Sequence, residues 1–476
     1  LLVAAITLAA PAFAGSIERP AMHKGAGLSF YDPTILTDRA TSGQTYKSVP
    51  SRALPGRDTP VGFDTSHTFI EANSAPTCAA VGGVQVQTSG CMPAACTYHT
   101  SPYYSLTHPG FYCSNWGATP ISFQDLSIDG SEIFLSSSNA TGAILVENDK
   151  LTGCGPTVEC TAQFYVQSGV DADVTITQVS ADFSTAAMGS QPFQIGIQGT
   201  NAAPVHLTVT NSYFHNIPGR PLNGDLSNGI LMVSGNVVDG FSVNPDLPAG
   251  QHGATATMSP GLAGSHISET YQGNLIIVTS TGNAISTPFS CTSGNGTTTD
   301  NCVVANNTIV TNTNAGAKQV AYGLVFFAGM NQITNLQVTG NWIDDTGVAD
   351  CMGNLGSVDS ATGWVAGNIM TITSLSGGQF LPGAMVSAFT VGGSANAVAI
   401  APYGTAGTTG TGGTGTYALA STPSWAPYGS SSSPVTNLET YTTPVASSTI
   451  SGNIGMISGS PITAPQGNQW TGGSCH

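Results

Sequence analysis

The side chains able to do acid–base or binding chemistry are densest between residues 206 and 269: His206, His215, Arg220, Asp225, Asp239, Asp246, His252, His266 and Glu269. His215 and Asp239 lie 24 residues apart, and Asp344 occupies a matching point farther along the chain. Two carboxylates beside a histidine can supply the general acid and base for hydrolysing a neutral glycan, or oxygen ligands for Ca2+. Asp239, His215 and Asp344 are therefore the candidate catalytic residues, and Arg220, Asp246, His252 and Glu269 the candidate substrate contacts. A solvated polar edge is the competing reading of the same residues. His206 falls immediately before a strand pattern and reads as structural.

For these residues to act together, the chain must return to the same face at a fixed interval. A recurring Gly/Asn-Asn step provides one: LTVTNSYF (207–214), LMVSGNVV (231–238), ETYQGNLI (269–276), CVVANNTI (302–309) and LQVTGNWI (336–343). ISFQDLSI (121–128), VTITQVSA (174–181) and STISGNIG (448–455) fit the same frame less regularly. The sixth positions are 126, 179, 212, 236, 274, 307, 341 and 453, giving steps of 53, 33, 24, 38, 33, 34 and 112. Most match one coil, and 53 is about two. Apolar residues at positions one and three describe a half-buried strand. A further apolar residue at position eight begins a second strand, and Asn or Gly between them suits the left-handed backbone of a corner. Glu269, Ser448 and Gly455 depart from the apolar pattern.

A period of this length without a 3.6-residue rhythm predicts a solenoid. Stacked coils would place residues one period apart at about 4.8 Å. His215, Asp239 and Asp344 each follow the corner by three, so they share one predicted column, with Ile277 and Val310 in the two intervening coils. Val209, Val233, Val304 and Val338 share another, expected to be buried.

The repeat frame resembles the pectin-lyase-like superfamily of right-handed parallel β-helices over roughly residues 115–360 and 436–465. That resemblance implies an all-β solenoid, with any chemistry in a shallow groove along one face. It carries no catalytic signature with it. Of the polygalacturonase-type set, only Asp344-Asp345 is present, and Gln251-His252-Gly253 is a poor stand-in for Gly-His-Gly. Lyases of acidic polymers use cationic side chains, whereas only Lys150, Arg220 and Lys318 lie beyond residue 115.

The step of 112 exceeds one coil of 34 by 78 residues, coinciding with a Gly/Thr-rich composition from about residue 358. This stretch resembles a small β module of bacterial and phage surface proteins that ends in a GTGGTGTY-type hairpin. The run Gly407–Gly415 lacks the Lys and the strand-to-helix switch of a phosphate loop. The expected organisation is a signal-peptide remnant (1–14), an extended leader and disulfide-bonded N-terminal cap (15–115), a parallel β-helix (116–358), an inserted β module (359–435), and a last coil with a C-terminal tail (436–476).

LLVAAITLAAPAFA (1–14) reads as the apolar region and cleavage site of a secretory signal, and no later apolar run is long enough to span a membrane. The expected location is secreted: extracellular, periplasmic or at the cell surface. Ten cysteines in an exported chain suggest disulfides. Cys91/Cys96, Cys154/Cys160 and Cys291/Cys302 are close neighbours suited to local staples. Cys78 with Cys113, and Cys351 with Cys475, are the remaining partners, although spacing leaves connectivity open.

Only 7% of residues are charged, and a chain this rich in Gly, Thr and Asn is poor helix material because these residues favour turns, caps and strands. A net charge of −16 repels phosphate and polyuronate backbones, so nucleic acid is not an expected partner. Tyr98, Tyr103, Tyr104, Phe111, Tyr112 and Trp116 could stack on sugars or pack beneath the cap. The functional expectation is a secreted protein that binds or processes extracellular polysaccharide, hydrolase- or lyase-like. A non-catalytic surface, adhesion or structural protein is the alternative. No cofactor is evident apart from the Ca2+ option, and the sequence does not set an oligomeric state.

Overall fold

The computed structural model describes residues 68–70 and, with interruptions, 92–462; the longest interruptions are 242–252, 312–319 and 389–396. The signal-like segment 1–14, Tyr103, Tyr104, Asp246, His252, Asp344, Cys78, Cys91 and Cys475 lie outside the described residues. The described chain is all-β without a helix, and most of its strands lie in three parallel sheets. Successive strands visit these sheets in order. Val205–Thr210, for example, joins the first sheet, Tyr213–His215 the second and Leu222–Ser227 the third. Gly229–Ser234 then returns to the first, beside Val205–Thr210.

The alternation read from sequence decides which side chains turn inward. Phe123, Val146, Ile176, Val209, Val233, Tyr271, Val304, Val338 and Ile450 pair in register along the first sheet. The predicted valines are all buried, with Tyr271 taking the place between Val233 and Val304. Phe123, Phe164, Phe193 and Phe214 fill the interior, with ring centroids 4.9, 5.9 and 6.3 Å apart in succession.

The corner between the first two sheets is more specific than a polar turn. Asn148, Gln178, Asn211, Gly235, Gly273, Asn306, Gly340 and Gly452 all adopt positive φ there. The residue that follows is not solvated. Asn236, Asn274, Asn307, Asn341 and Asn453 are buried and form a ladder. Asn274 Nδ2 donates to Val233 O at 3.0 Å and to Asn307 Oδ1 at 2.9 Å, and the next rungs repeat the geometry. Upstream, Ser212 and Asp149 occupy the same place, accepting from the backbone amides of Val179 and Leu126. Asp149 belongs to a round that the sequence frame passed over. Its first-sheet strand, Ile144–Glu147, pairs on both sides and resolves the 53-residue step into two.

The third sheet was not anticipated. Its strands run from Cys96–His99 and Gly110–Cys113 to Val348–Gly356. Bulges interrupt their register at Ile195/Ile197 and Ser286/Phe289, which blurs the alternation in sequence.

Cys154–Cys160 and Cys291–Cys302 are bonded as expected. Two other pairings, Cys91 with Cys96 and Cys78 with Cys113, need correction. Cys96 bonds Cys113, not Cys91, because the antiparallel strands Cys96–His99 and Gly110–Cys113 place those two residues opposite each other. Cys113 is therefore unavailable to Cys78. Cys351 lies on the strand Val348–Gly356.

Between that strand and the next first-sheet strand, Val445–Ser451, residues 359–440 form a six-stranded antiparallel sheet with its own apolar cluster. Its last strand, Val435–Thr440, extends past the expected boundary at 435 and pairs with Asp359–Ala366 and Met385–Ala388. The glycine run wraps one ring: Tyr417 donates to Gly413 O at 2.5 Å and accepts from Gly412 N at 3.0 Å. A Cβ on Gly410 would lie 2.2 Å from the Tyr417 ring. The flanking strands Ile333–Thr339 and Val445–Ser451 pair directly. Replacing residues 359–440 with a short Gly/Ser linker should therefore leave the parallel sheets folded. A shift in melting temperature of no more than a few degrees is expected by circular dichroism, and failure of the shortened chain to fold would show that this sheet supports the stack.

Candidate functional site

The second sheet brings the leading candidates into register. His215 pairs with Asp239, 24 residues later, and Asp239 with Ile277, which pairs with Val310. On the other side of His215 the partner is Asp182. Sequence reasoning missed Asp182 although it follows its corner at Val179 by three residues, the same rule that selected the others.

Short strands after the corner hold this site. Phe214 anchors Tyr213–His215 inward, which leaves Tyr213 and His215 on the other face with their rings stacked 5.8 Å apart. His215 Nδ1 lies 3.2 Å from Asp182 Oδ1. Ser184 donates to the same oxygen from its hydroxyl at 2.5 Å and from its amide at 3.1 Å. Asn216 Nδ2 donates to Ser184 Oγ at 2.8 Å. Partial burial works to raise the Asp182 carboxyl, but the Ser184 hydrogen bonds and His215 outweigh it and hold the group below its ordinary value. Asp182 is thus a carboxylate at neutral pH.

Ser184, His215 and Asp182 do not form a nucleophilic triad. That chemistry needs the acid on one ring nitrogen and the hydroxyl on the other. Here both approach Nδ1, at 3.2 and 3.5 Å, and the Ser184 proton points to Asp182. The arrangement instead leaves Nε2 of His215 without a partner among the described residues, beside an ionised carboxylate.

The substrate-contact candidates separate. Glu269 is fully buried, contrary to its expected place in a groove: the register Leu231–Glu269–Cys302 directs it into the core. Arg220 is half-buried near the third sheet, where it donates to Asn223 Oδ1 at 3.3 Å and burial lowers its guanidinium from the ordinary value. Along that sheet Tyr112, Phe134 and Tyr165 pair in register, with centroids 5.8 and 4.9 Å apart. Gln194 and Asn223 continue the row. Burial, then the charge of Asp225, raises the Tyr165 phenol. Phe111 and Trp116 are core residues, as the packing reading held.

His206 and His266 repeat the His–Asp theme on the first sheet. Their Nδ1 atoms lie 3.2 Å from Asp173 Oδ1 and 3.1 Å from Asp300 Oδ1. Among the described residues, Glu132, Cys154 and Cys160 form a cluster of metal-ligand types, but the disulfide consumes both thiolates. No helix of the described chain is long and apolar enough to cross a membrane. No family model, curated protein or solved structure matches the chain.

Proposed function

We propose that the chain is an exported right-handed parallel β-helix that binds and hydrolyses a neutral extracellular polysaccharide across Asp182, His215 and Asp239. The β-helix reading rests on the three parallel sheets visited in rotation, and right-handedness is the strong rule for parallel β crossovers. Export agrees with the disulfides. A neutral substrate fits a chain of net charge −16 with few cationic side chains.

The observation that carries the function is the register Asp182–His215–Asp239. Two strand spacings separate the acids, about 9.6 Å at the backbone. Inverting glycosidases use carboxylates roughly 6.5–9.5 Å apart, with room for the attacking water. Asp182, held ionised, suits the base, and His215 or Asp239 the acid.

A non-catalytic surface or adhesion protein is the second reading. It is favoured by His206–Asp173 and His266–Asp300, which repeat the His–Asp contact on another sheet as though it clasped neighbouring strands.

A glycan array and a reducing-sugar assay on the full chain separate the two. Asp239→Asn should lower sugar release by roughly 10²-fold or more with the melting temperature nearly unchanged. Asp182→Asn should lower release as much but also cost some stability, because Ser184 and His215 bond its carboxylate. Binding without release, weakened only modestly by either substitution, would support adhesion. Neither binding nor release on neutral or acidic glycans would sink both carbohydrate readings and leave a structural role.

A further inference from the structure

The polysaccharide reading makes no use of Glu269, the fully buried carboxyl of the first sheet. It occupies the inward column Leu207–Leu231–Glu269–Cys302–Leu336, where its neighbours are apolar or disulfide-bonded. Among the described residues neither carboxyl oxygen has a hydrogen-bond partner, and Thr299 Oγ1 on the next strand is likewise buried and unpaired.

We propose that loss of the Glu269 proton loosens the stack around the strand His266–Gln272, making this residue a built-in alkaline switch. The argument is geometric. A buried carboxylate needs a cation or hydrogen-bond donors to be stable, and among the described residues neither reaches its oxygens. On its own strand, His266 faces outward and pairs with Asp300, and Tyr271 is buried against Phe289 with ring centroids 5.0 Å apart. Gly229–Ser234, packed on one side, has no titratable side chain. On the other side, Thr298–Ala305 offers Asp300 and the bonded Cys302. Across the interior, Ser286–Ser293 contributes the bonded Cys291, and Leu222–Ser227 contributes Asp225, which is exposed and accepts from Ser168. No positive charge faces Glu269 from any of these strands.

Burial accordingly pushes the Glu269 carboxyl well above its ordinary value of 4.5. The unfolded chain then gives up the proton at lower pH than the folded one. Stability is fully present below pH 4.5 and is lost as pH rises toward the folded value. Over that window each pH unit lowers the folding equilibrium constant up to tenfold. The opening should begin locally, because the neighbouring rounds hold no titratable group at the same position: Leu231 on one side and the bonded Cys302 on the other.

The test follows denaturant unfolding and amide hydrogen exchange of the full chain from pH 5 to 9, for the native sequence, Glu269→Gln and Glu269→Leu. Relative to both variants, the native protein should lose up to tenfold in folding equilibrium constant per pH unit. Its extra exchange should concentrate at residues 266–272. Leucine repeats the residue present at 231 and 336, so that comparison decides the matter if the glutamine variant does not fold. A difference between native and Leu proteins that stays constant with pH would overturn the switch. So would pH-driven exchange confined to other strands.

Discussion

Asn307→Leu should lower the unfolding free energy by several kcal/mol, a large share of the total for any domain. The side chain is fully buried and makes four hydrogen bonds. Its Oδ1 accepts from Asn274 N at 3.0 Å and Asn274 Nδ2 at 2.9 Å. Its Nδ2 donates to Tyr271 O at 2.9 Å and Asn341 Oδ1 at 3.0 Å. Leucine matches the size but removes all four bonds. Asn274 N loses its acceptor outright, whereas Asn341 Oδ1 keeps the backbone amide of residue 307 and Asn274 Nδ2 keeps Val233 O. The cost is roughly 1–3 kcal/mol for each group left unsatisfied. Asn307→Asp should be milder at low pH, where a protonated acid keeps one donor, and worse at neutral pH. Denaturant midpoints at two pH values measure both. A midpoint unchanged by Asn307→Leu would mean that the ladder is incidental to stability.

Val304→Asp should be as severe or worse, abolishing cooperative unfolding or solubility. Val304 is fully buried between Tyr271 and Val338. A carboxylate there meets no cation, and an unpaired buried charge is among the most destabilising changes known. Two controls make the comparison sharp. Val304→Ala removes only methyl groups and should cost roughly 2 kcal/mol. Val303→Asp, one residue earlier and on the opposite face of the same strand, should be tolerated far better. Equal effects at 303 and 304 would contradict the inward column of the first sheet.

The same column shows where sequence reading succeeded and where it failed. Position one was correctly identified as inward from Ile121 to Leu336, though Ser448 in the last repeat is exposed, and the frame marked Glu269 as a departure from that apolar position. Placing Glu269 among substrate contacts let charge type outweigh register, and the register proved decisive: an odd polar residue at an inward position is an interior residue with a problem. Asp182 failed in the opposite way. It satisfied the same offset rule as His215 and Asp239, but it lay outside the dense polar cluster and drew no attention. The third sheet had no sequence signal of comparable strength, since its strands vary in length and carry bulges. The Cys96–Cys113 bond depended on a hairpin whose register no spacing of cysteines reveals. His215 and Asp239, by contrast, were legible because the corner fixes the phase of every short strand that follows it.

The asparagine ladder also has a mechanical side. Its side-chain amides all point the same way along the stack, so a pull along that axis loads the rungs in series. From Asn236 to Asn453 the series is unbroken, and one contact, Asn341 to Asn453, spans 112 residues of chain. Tension crossing from one round to the next can therefore bypass the antiparallel sheet of residues 359–440. Toward the N-terminus the series ends at Val179, whose side chain has no acceptor to offer the round before it. A pull along the axis therefore passes between the rounds of Asp149 and Val179 through the backbone bonds of the sheets rather than through the ladder, ahead of the strands that carry Asp182, His215 and Asp239.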